Sequence, residues 1–453
     1  MAGLQVRLNT ARVTLRNREL AKLQVSWGVW TTGEWGSLIA LSVVAFELGG
    51  APAVGLVGVV RLLPAAALGP LASIVTDRRS RPGVLGATHA GWAVVSLALC
   101  GLVLAGAPLA VLLVGLGIGS AAGAVFKPGI SALLPQLVRS PSELVAANAV
   151  SSLVEAAGIV AGPALAGLLL AVFPPAVTFV ALAVLFAVGA AASAAIRTNY
   201  QPARSPSVSG LLLLAEPLRG FPALLVNAAT RVVVALFVVQ LVMRGLLNVV
   251  LVVLALAEGG EGAAGALFAA MGAGGLVGAL ITLGVGGSSR SARWFAFGAV
   301  LWGAPVIVIA VWPELPVAFV ALAALGLGNA VMDVYGFTLL HRLLPDHLAG
   351  RAFGAFWSCA AAAVAAGSAL APLLIEAVGL RWAMGLSGAV LALLPLLLWR
   401  PLRTIDEQTS AAAGTLSPAA SHAAAAPATR PAAAPAARAR PRPVPARRRR
   451  APS

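Results

Sequence analysis

Apolar positions in this chain do not alternate with period two, and they do not form one stripe of a helix. They run on for twenty or more residues and stop at short polar breaks. The pattern predicts twelve helical segments: 24–47, 53–76, 84–106, 108–131, 145–171, 175–196, 226–256, 262–285, 294–312, 315–340, 352–376 and 380–399. Each is close to the roughly 20 residues that a helix needs to cross a bilayer. The breaks carry residues that end helices, such as Gly49-Gly50-Ala51-Pro52, Gly106-Ala107-Pro108, Pro174-Pro175, Gly259-Gly260 and Trp312-Pro313. The expected class is an all-α polytopic membrane protein.

Charge orders these segments. Loops after even-numbered segments hold Arg78, Arg79, Arg81, Arg139, Arg197, Arg204, Arg219, Arg290, Arg293, Arg342 and Arg351. Loops after odd-numbered segments have no Lys or Arg until Arg381, and hold Glu47, Glu258, Glu261, Glu314 and Glu376 instead. Short cytoplasmic loops concentrate Lys and Arg, so both termini are expected in the cytoplasm, with the chain in the cell membrane. The loop within Gly69–Leu85 adds Asp77, which topology does not require.

The boundaries that follow are a basic N-terminus over 1–22, six helices over 23–196, a cytoplasmic linker over 197–225, six helices over 226–400 and a tail over 401–453. Residues 1–22 read equally well as an interfacial amphipathic helix or a basic leader, and no cleavable signal is expected there. The tail is Ala, Pro, Ser and Arg with few large apolar residues, and disorder is expected. Its Arg447–Arg450 cluster suits anionic lipid headgroups. A constant offset of 209 relates Gly69 to Gly278, Arg81 to Arg290, and Gly158 with Pro163 to Gly367 with Pro372. Two six-helix repeats are therefore expected.

Composition agrees. The 453 residues are 60% hydrophobic and 10% charged, with mean hydropathy +0.94; soluble domains are about 25% charged. A net charge of +16 would suit nucleic acid, but ten of the basic residues lie from Arg400 onward and most others in loops of one parity. No nucleic-acid partner is expected. Cys100 and Cys359 lie in apolar segments, and the four histidines lack ligand spacing. Neither metal nor cofactor is expected. No phosphate loop of the form G-x-x-x-x-G-K-[ST] occurs and no catalytic constellation is visible, so neither ATP hydrolysis nor an enzyme is expected.

The twelve segments, the central linker and the duplicated halves resemble the major facilitator superfamily. Gly69, Leu71, Asp77, Arg78 and Arg81 are similar to its signature loop between helices 2 and 3, with Pro82 where a second basic residue is usual. Ser131–Val138 (SALLPQLV), Glu143–Asn148 (ELVAAN) and Asn329–Asp333 (NAVMD) resemble a branch that includes macrolide-efflux and enterobactin-exporter-like proteins. Gly158-x-x-x-Gly162-Pro163 resembles the antiporter motif of proton-coupled exporters, with Ala149 where its first glycine would stand.

Ionisable residues inside a bilayer cost about 2.5–3.5 kcal/mol each on insertion scales, so each marks a candidate role. They are Glu34, Arg61, Lys127, Glu155, Arg244 and Asp333. The resemblance implies that helices 1, 4, 7 and 10 line a central cavity, and these carry Glu34, Lys127, Arg244 and Asp333. Glu34 and Asp333 are the candidates for proton coupling; the alternative for Glu34 is a fixed ion pair with Arg61, about 10 Å away along the axis at 1.5 Å per residue, and for Asp333 a pair with Arg342 or Arg351 at the inner gate. Arg244, Lys127, Asn248, Asn329 and Tyr335 are candidates for the cavity wall, with snorkelling as the alternative for Lys127. Glu155 is expected to bond to segment 8 or to the signature loop. Asp77, with Arg78, Arg81 and Gly69, reads as a latch between conformations. The expected function is proton-coupled export of small amphipathic molecules such as antibiotics, siderophores or secondary metabolites, by a monomer. A nutrient importer or facilitator, and a non-transporting scaffold that uses the tail, are the alternatives.

Overall fold

A computed structural model describes residues 17–78, 80–198, 221–222, 224–284, 290–344 and 346–407. The helices are α1 (Arg18–Arg78), α2 (Arg81–Leu104), α3 (Leu109–Gly123), α4 (Phe126–Leu137), α5 (Pro141–Val172), α6 (Pro175–Ala194), α7 (Ala228–Gly259), α8 (Glu261–Gly284), α9 (Ser291–Val311), α10 (Leu315–Leu343), α11 (Asp346–Val378) and α12 (Leu380–Leu397). Two limbs of α1 form segments 1 and 2. They meet at Gly49 and Gly50, where Gly50 has φ 63°, a left-handed conformation open to glycine. Gly260, between α7 and α8, repeats that turn with φ 75°. Segment 3 is α2. Segment 4 is divided into α3 and α4 by a short break at Ala124-Val125. From α5 to α12 helix and segment numbers coincide. Among the described residues eleven stretches are long and apolar enough to cross a membrane, and the first of them spans the Gly49-Gly50 turn. With the two limbs of α1 counted separately and α3 and α4 together, the described helices correspond to the twelve predicted segments.

Each half has its own core. In the first, Trp30 stacks on Phe126 at 4.0 Å between centroids, with Trp27, Trp92, Phe186 and His89 around them. In the second, Phe237 gathers Phe295, Phe337 and Phe356 at 5.1–5.3 Å. Lipid gives apolar helices no reason to associate, so close approach through small residues has to hold them together. At offset 209 the two halves use the same device. Gly158 abuts Thr31 and Gly162 the backbone at Gly36, joining α5 to the first limb of α1; Gly367 abuts Val242 and Gly245 abuts Val364, joining α11 to α7. Gly36 and Gly245 are themselves 209 apart.

The halves meet along two seams related by the same repeat. In one, Gly262 and Gly265 of α8 lie against Gly167 and the Pro163 carbonyl of α5, and Gly272 against Ile159. In the other, Gly55 and Gly58 of α1 lie against Ser368 and Pro372 of α11. Both seams lie away from the arginine-rich end. Toward that end α4 packs within its own half, and so does α10.

Asparagines anchor that end. Asn17, buried at the start of α1, donates to Leu137 O at 2.8 Å, and Asn227, at the start of α7, donates to Leu343 O at 3.4 Å. Each ties the entry of its half to the last carbonyls of another helix of that half, α4 in the first and α10 in the second. Glu143, also buried, accepts from Asn17 at 3.1 Å, while Ser140 caps α5 by accepting from the Glu143 amide.

Two of the expected boundaries fall inside helices: α1 begins at Arg18, within the expected N-terminal stretch, and the chain is helical over 399–407, where a disordered tail was expected from 401. Leu402 and Ile405 are buried, and so is Asp406. Asp406 accepts from the amides of Ala292 at 2.7 Å and Arg293 at 3.2 Å, which caps α9 from a remote part of the chain. A carboxylate suits the positive end of a helix dipole, and α9 has no side-chain cap of its own at Arg290. Burial nevertheless pushes the Asp406 carboxyl above its usual range, against the two amides and the nearby arginines. The docked form thus holds its proton more tightly than the undocked chain. Docking is strongest below the usual carboxylate range and weakens as pH rises through the raised value. The basic cluster at 447–450 lies outside the described residues, as does most of the linker.

Replacing Asp406 by Ala should lower the stability of the detergent-solubilised protein by about 1–2 kcal/mol, the usual cost of losing a helix cap. Asp406→Asn, which keeps an oxygen acceptor, should lose less than half as much. Thermal unfolding of the three proteins at neutral pH checks the order.

Candidate functional site

Four of the six bilayer charges, Glu34, Arg61, Arg244 and Asp333, lie near the meeting of the two halves. Glu34 is midway along the first limb of α1, and Arg61 is on the second limb. They form an ion pair, with Arg61 Nη2 donating to Glu34 Oε1 at 2.8 Å. The guanidinium also lies over the Trp35 ring at 5.4 Å, a cation–π contact that holds a charge in apolar surroundings. The pair is partly buried, with 15% and 30% of the Arg61 and Glu34 side chains exposed. Arg61 and Asn248 of α7 line a narrow crevice together with Ser368 of α11.

The second half contributes a chain of polar groups. Gln240 of α7 donates to Asn329 Oδ1 at 3.1 Å, and Asn329 of α10 donates to Asp333 Oδ2 at 2.8 Å. Arg244 is one helical turn beyond Gln240. It senses the charges of both Asp333 and Arg61, yet closes no ion pair with Asp333 among the described residues. The order across the cavity is therefore Glu34, Arg61, Arg244, Asp333, with signs minus, plus, plus, minus. Two like charges at the middle of such a row are held apart by the acids at its ends. Loss of charge at either end leaves a cation to seek another partner.

Lys127, at the start of α4, pairs with Glu155 of α5 at 3.3 Å and lies 5.8 Å from the Trp27 ring centroid. The pair is exposed, 63% at Lys127 and 38% at Glu155, on the same side of α5 as Asn148 and Ser152. Glu155 therefore finds its partner in α4, not in segment 8 or the signature loop. Gly158, three residues on, faces α1 instead.

Tyr335 does not join Asp333. It is buried and stacks on Trp294 of α9 at 5.8 Å and 16°. Two residues turn a helix by about 200°, so Tyr335 faces the core behind α10. Arg81 Nη1 donates to Ala132 O of α4 at 2.6 Å, which ties the signature loop to the cavity helix of its own half. The α1 helix passes through Gly69, Asp77 and Arg78, whose side chains lie outside the described residues. The antiporter-like motif has two faces: Gly158 and Gly162 press on the helix that carries Glu34, while Pro163 meets Gly265 across the seam.

Three groups carry weight that the sequence reading passed over. Gln240 is a lone amide in an apolar run, one turn from Arg244. Ser368 donates to Gly245 O at 3.2 Å and abuts Gly58 at the seam. His89 is fully buried among the first half's aromatic rings, 3.2 Å from Ser26 Oγ, which lies 2.8 Å from Ser193 Oγ. Polarity inside an apolar segment was the available signal for each. Among the described residues no group of His, Cys, Asp and Glu is placed to hold a metal.

The profile of the Major Facilitator Superfamily matches residues 29–291 and again 233–445. The chain belongs to that superfamily. Solved structures agree in fold. A POT family transporter in complex with a thioalcohol-conjugated peptide superposes with TM-score 0.67 at 16% identity, over 86% of this chain and 96% of that one. The nucleoside transporter NupG gives 0.69 at 12%, over 84% and 98%. The human organic anion transporter MFSD10 gives 0.60 at 16%, over 86% and 99%. No curated protein matches the sequence itself. At these identities the neighbours show the fold alone.

Removing one member of the Glu34–Arg61 pair should cost about 1–3 kcal/mol, because the other is left partly buried without its partner. Arg61→Gln combined with Glu34→Gln should recover most of the loss. A double-mutant cycle on thermal stability checks this; purely additive losses would mean the contact contributes nothing.

Proposed function

We propose that this protein is a secondary active transporter that exports small amphipathic molecules in exchange for protons, by alternating access. The observation that carries the reading is the row of charges at the meeting of the halves, Glu34 to Arg61 and Arg244 to Asp333. Both acids are bound to groups that move with a half. Arg61 is three residues from Gly58 at the seam with α11. Glu34 is two residues from Gly36, which lies against α5, the helix of the other seam. A proton taken up at Glu34 Oε1 would release the Arg61 guanidinium and so loosen the second limb of α1 beside its seam. A proton at Asp333 would remove the charge that faces Arg244 and change what the cavity binds. Either event favours one access state over the other, which is what coupling requires.

The arginine-rich end is the cytoplasmic one in this scheme. Both seams then close the outer side, and the cavity faces inward, ready to take up cargo. Asp77, with Arg78, Arg81 and Gly69, acts as the inner latch, and the Arg81 bond to Ala132 gives it purchase on α4. The SALLPQLV and NAVMD stretches and the Gly158–Pro163 motif favour the macrolide-efflux and enterobactin-exporter-like branch over importers. The cell membrane is the expected site, with a single chain as the working unit, protons as the coupling ion and anionic lipid in contact with the basic tail.

Inverted membrane vesicles energised with a proton gradient should accumulate ethidium, a small amphipathic cation, when the wild-type protein is present. An uncoupler should abolish this. Glu34→Gln and Asp333→Asn should each lower the gradient-driven rate at least tenfold, an effect of about 1.4 kcal/mol or more. If both variants retain the full rate, the coupling scheme is wrong. If right-side-out vesicles accumulate the compound instead, the protein is an importer.

A further inference from the structure

Trp357 of α11 is 58% exposed. It lies seven residues, two helical turns, before Val364 and so on the same face of the helix. Val364 and Ser368 on that face meet α7 and the second limb of α1, so this face of α11 is turned toward the other half. The Trp357 ring is 5.8 Å from that of Phe337 on α10, at 32°. Phe337 is one turn beyond Asp333. Phe353 lies 6.3 Å from Phe337 and 4.5 Å from His341. Behind them Phe237 and Phe356 are buried and touch Phe337 edge-on or tilted. Packing accounts for the two buried rings, and the Trp357 indole lies open beside them.

The repeat sharpens the contrast. At offset 209, Trp357 corresponds to Asn148, Phe337 to Pro128 and Phe353 to Leu144. The first half's wall at this depth carries Asn148, Ser152 and the Lys127–Glu155 pair. One wall of the inner cavity is polar and charged, and the other is aromatic.

We infer that Trp357 and Phe337, backed by Phe353 and His341, form a binding subsite for a flat aromatic ring system that carries a positive charge. Ring faces are electron-rich, stack on flat partners and attract cations. Asp333, one turn above Phe337, accepts a single hydrogen bond, from Asn329, and closes no ion pair among the described residues. An aromatic anion would meet the same ring faces and the same carboxylate with the wrong sign. The inference rests on the export reading and narrows its substrate class.

Ethidium binding to the purified full-length protein in lipid nanodiscs, followed by fluorescence anisotropy, tests it. Trp357→Ala should weaken binding about tenfold, and Phe337→Ala by a comparable factor. Trp357→Phe should stay within about threefold of wild type, since a ring face remains. Trp382, 70% exposed on α12, is the control, and Trp382→Ala should bind as wild type does. Tetrabutylammonium, a cation without rings, should compete poorly. The subsite is overturned if Trp357→Ala and Phe337→Ala both bind ethidium as well as wild type does. It is also overturned if Trp382→Ala is as weak as Trp357→Ala, or if tetrabutylammonium competes as well as ethidium itself. Wild-type protein that binds neither cation would remove the export reading for such molecules, and the subsite with it.

Discussion

Helices in a bilayer stay together only where their backbones can come close, and in this molecule that constraint falls chiefly on one stretch of α5. From Gly158 to Gly167 it touches two partners at once. Gly158 and Gly162 admit the helix of Glu34, and the Pro163 carbonyl and Gly167 admit Gly265 of α8. A side chain larger than hydrogen at Gly265 would meet backbone atoms, which cannot swing aside. The position of Glu34 and the closure between the halves are thus set by one run of small residues. The second half reproduces the arrangement in α11, with Gly367 against α7 and Pro372 against the second limb of α1. Each half thereby couples the depth of its cavity helix to the tightness of a seam.

Charge works within this frame. Arg61 is shared between an acid and an aromatic ring on its own half, while Arg244 lies near charges on both halves and closes no ion pair with either among the described residues. Such incomplete pairing is costly in apolar surroundings, and proteins retain it where a charge must change partners. Lys127 and Glu155, by contrast, satisfy each other in the open, and their exposure makes the pair a weak contributor to stability.

The crossings were legible because apolar length and arginine parity are strong, independent signals, and the turn at Gly49-Gly50 was visible as a pair of glycines before a proline. The Glu34–Arg61 pair was legible because axial distance can be counted along a helical hairpin. Contacts that depend on rotation about an axis or on which helices are neighbours were harder. Tyr335 was placed by its nearness to Asp333 in sequence, although two residues put it on the opposite face. Glu155 was assigned to segment 8 or the signature loop, whereas its partner came from α4, whose break at Ala124-Val125 brings Lys127 within reach. Leu402, Ile405 and Asp406 were hidden by composition. Three anchoring residues are easily lost ahead of a long run of Ala, Pro and Arg.

The paired seams have a consequence for how the chain is assembled. Helix α5 meets α8 as α11 meets the second limb of α1, and those helices are counterparts in the repeat. The surface between the halves is therefore the kind that two identical subunits form about a two-fold axis, where each patch recognises the other's copy. Two separate polypeptides cut within the stretch connecting the halves would each keep its own side of both seams.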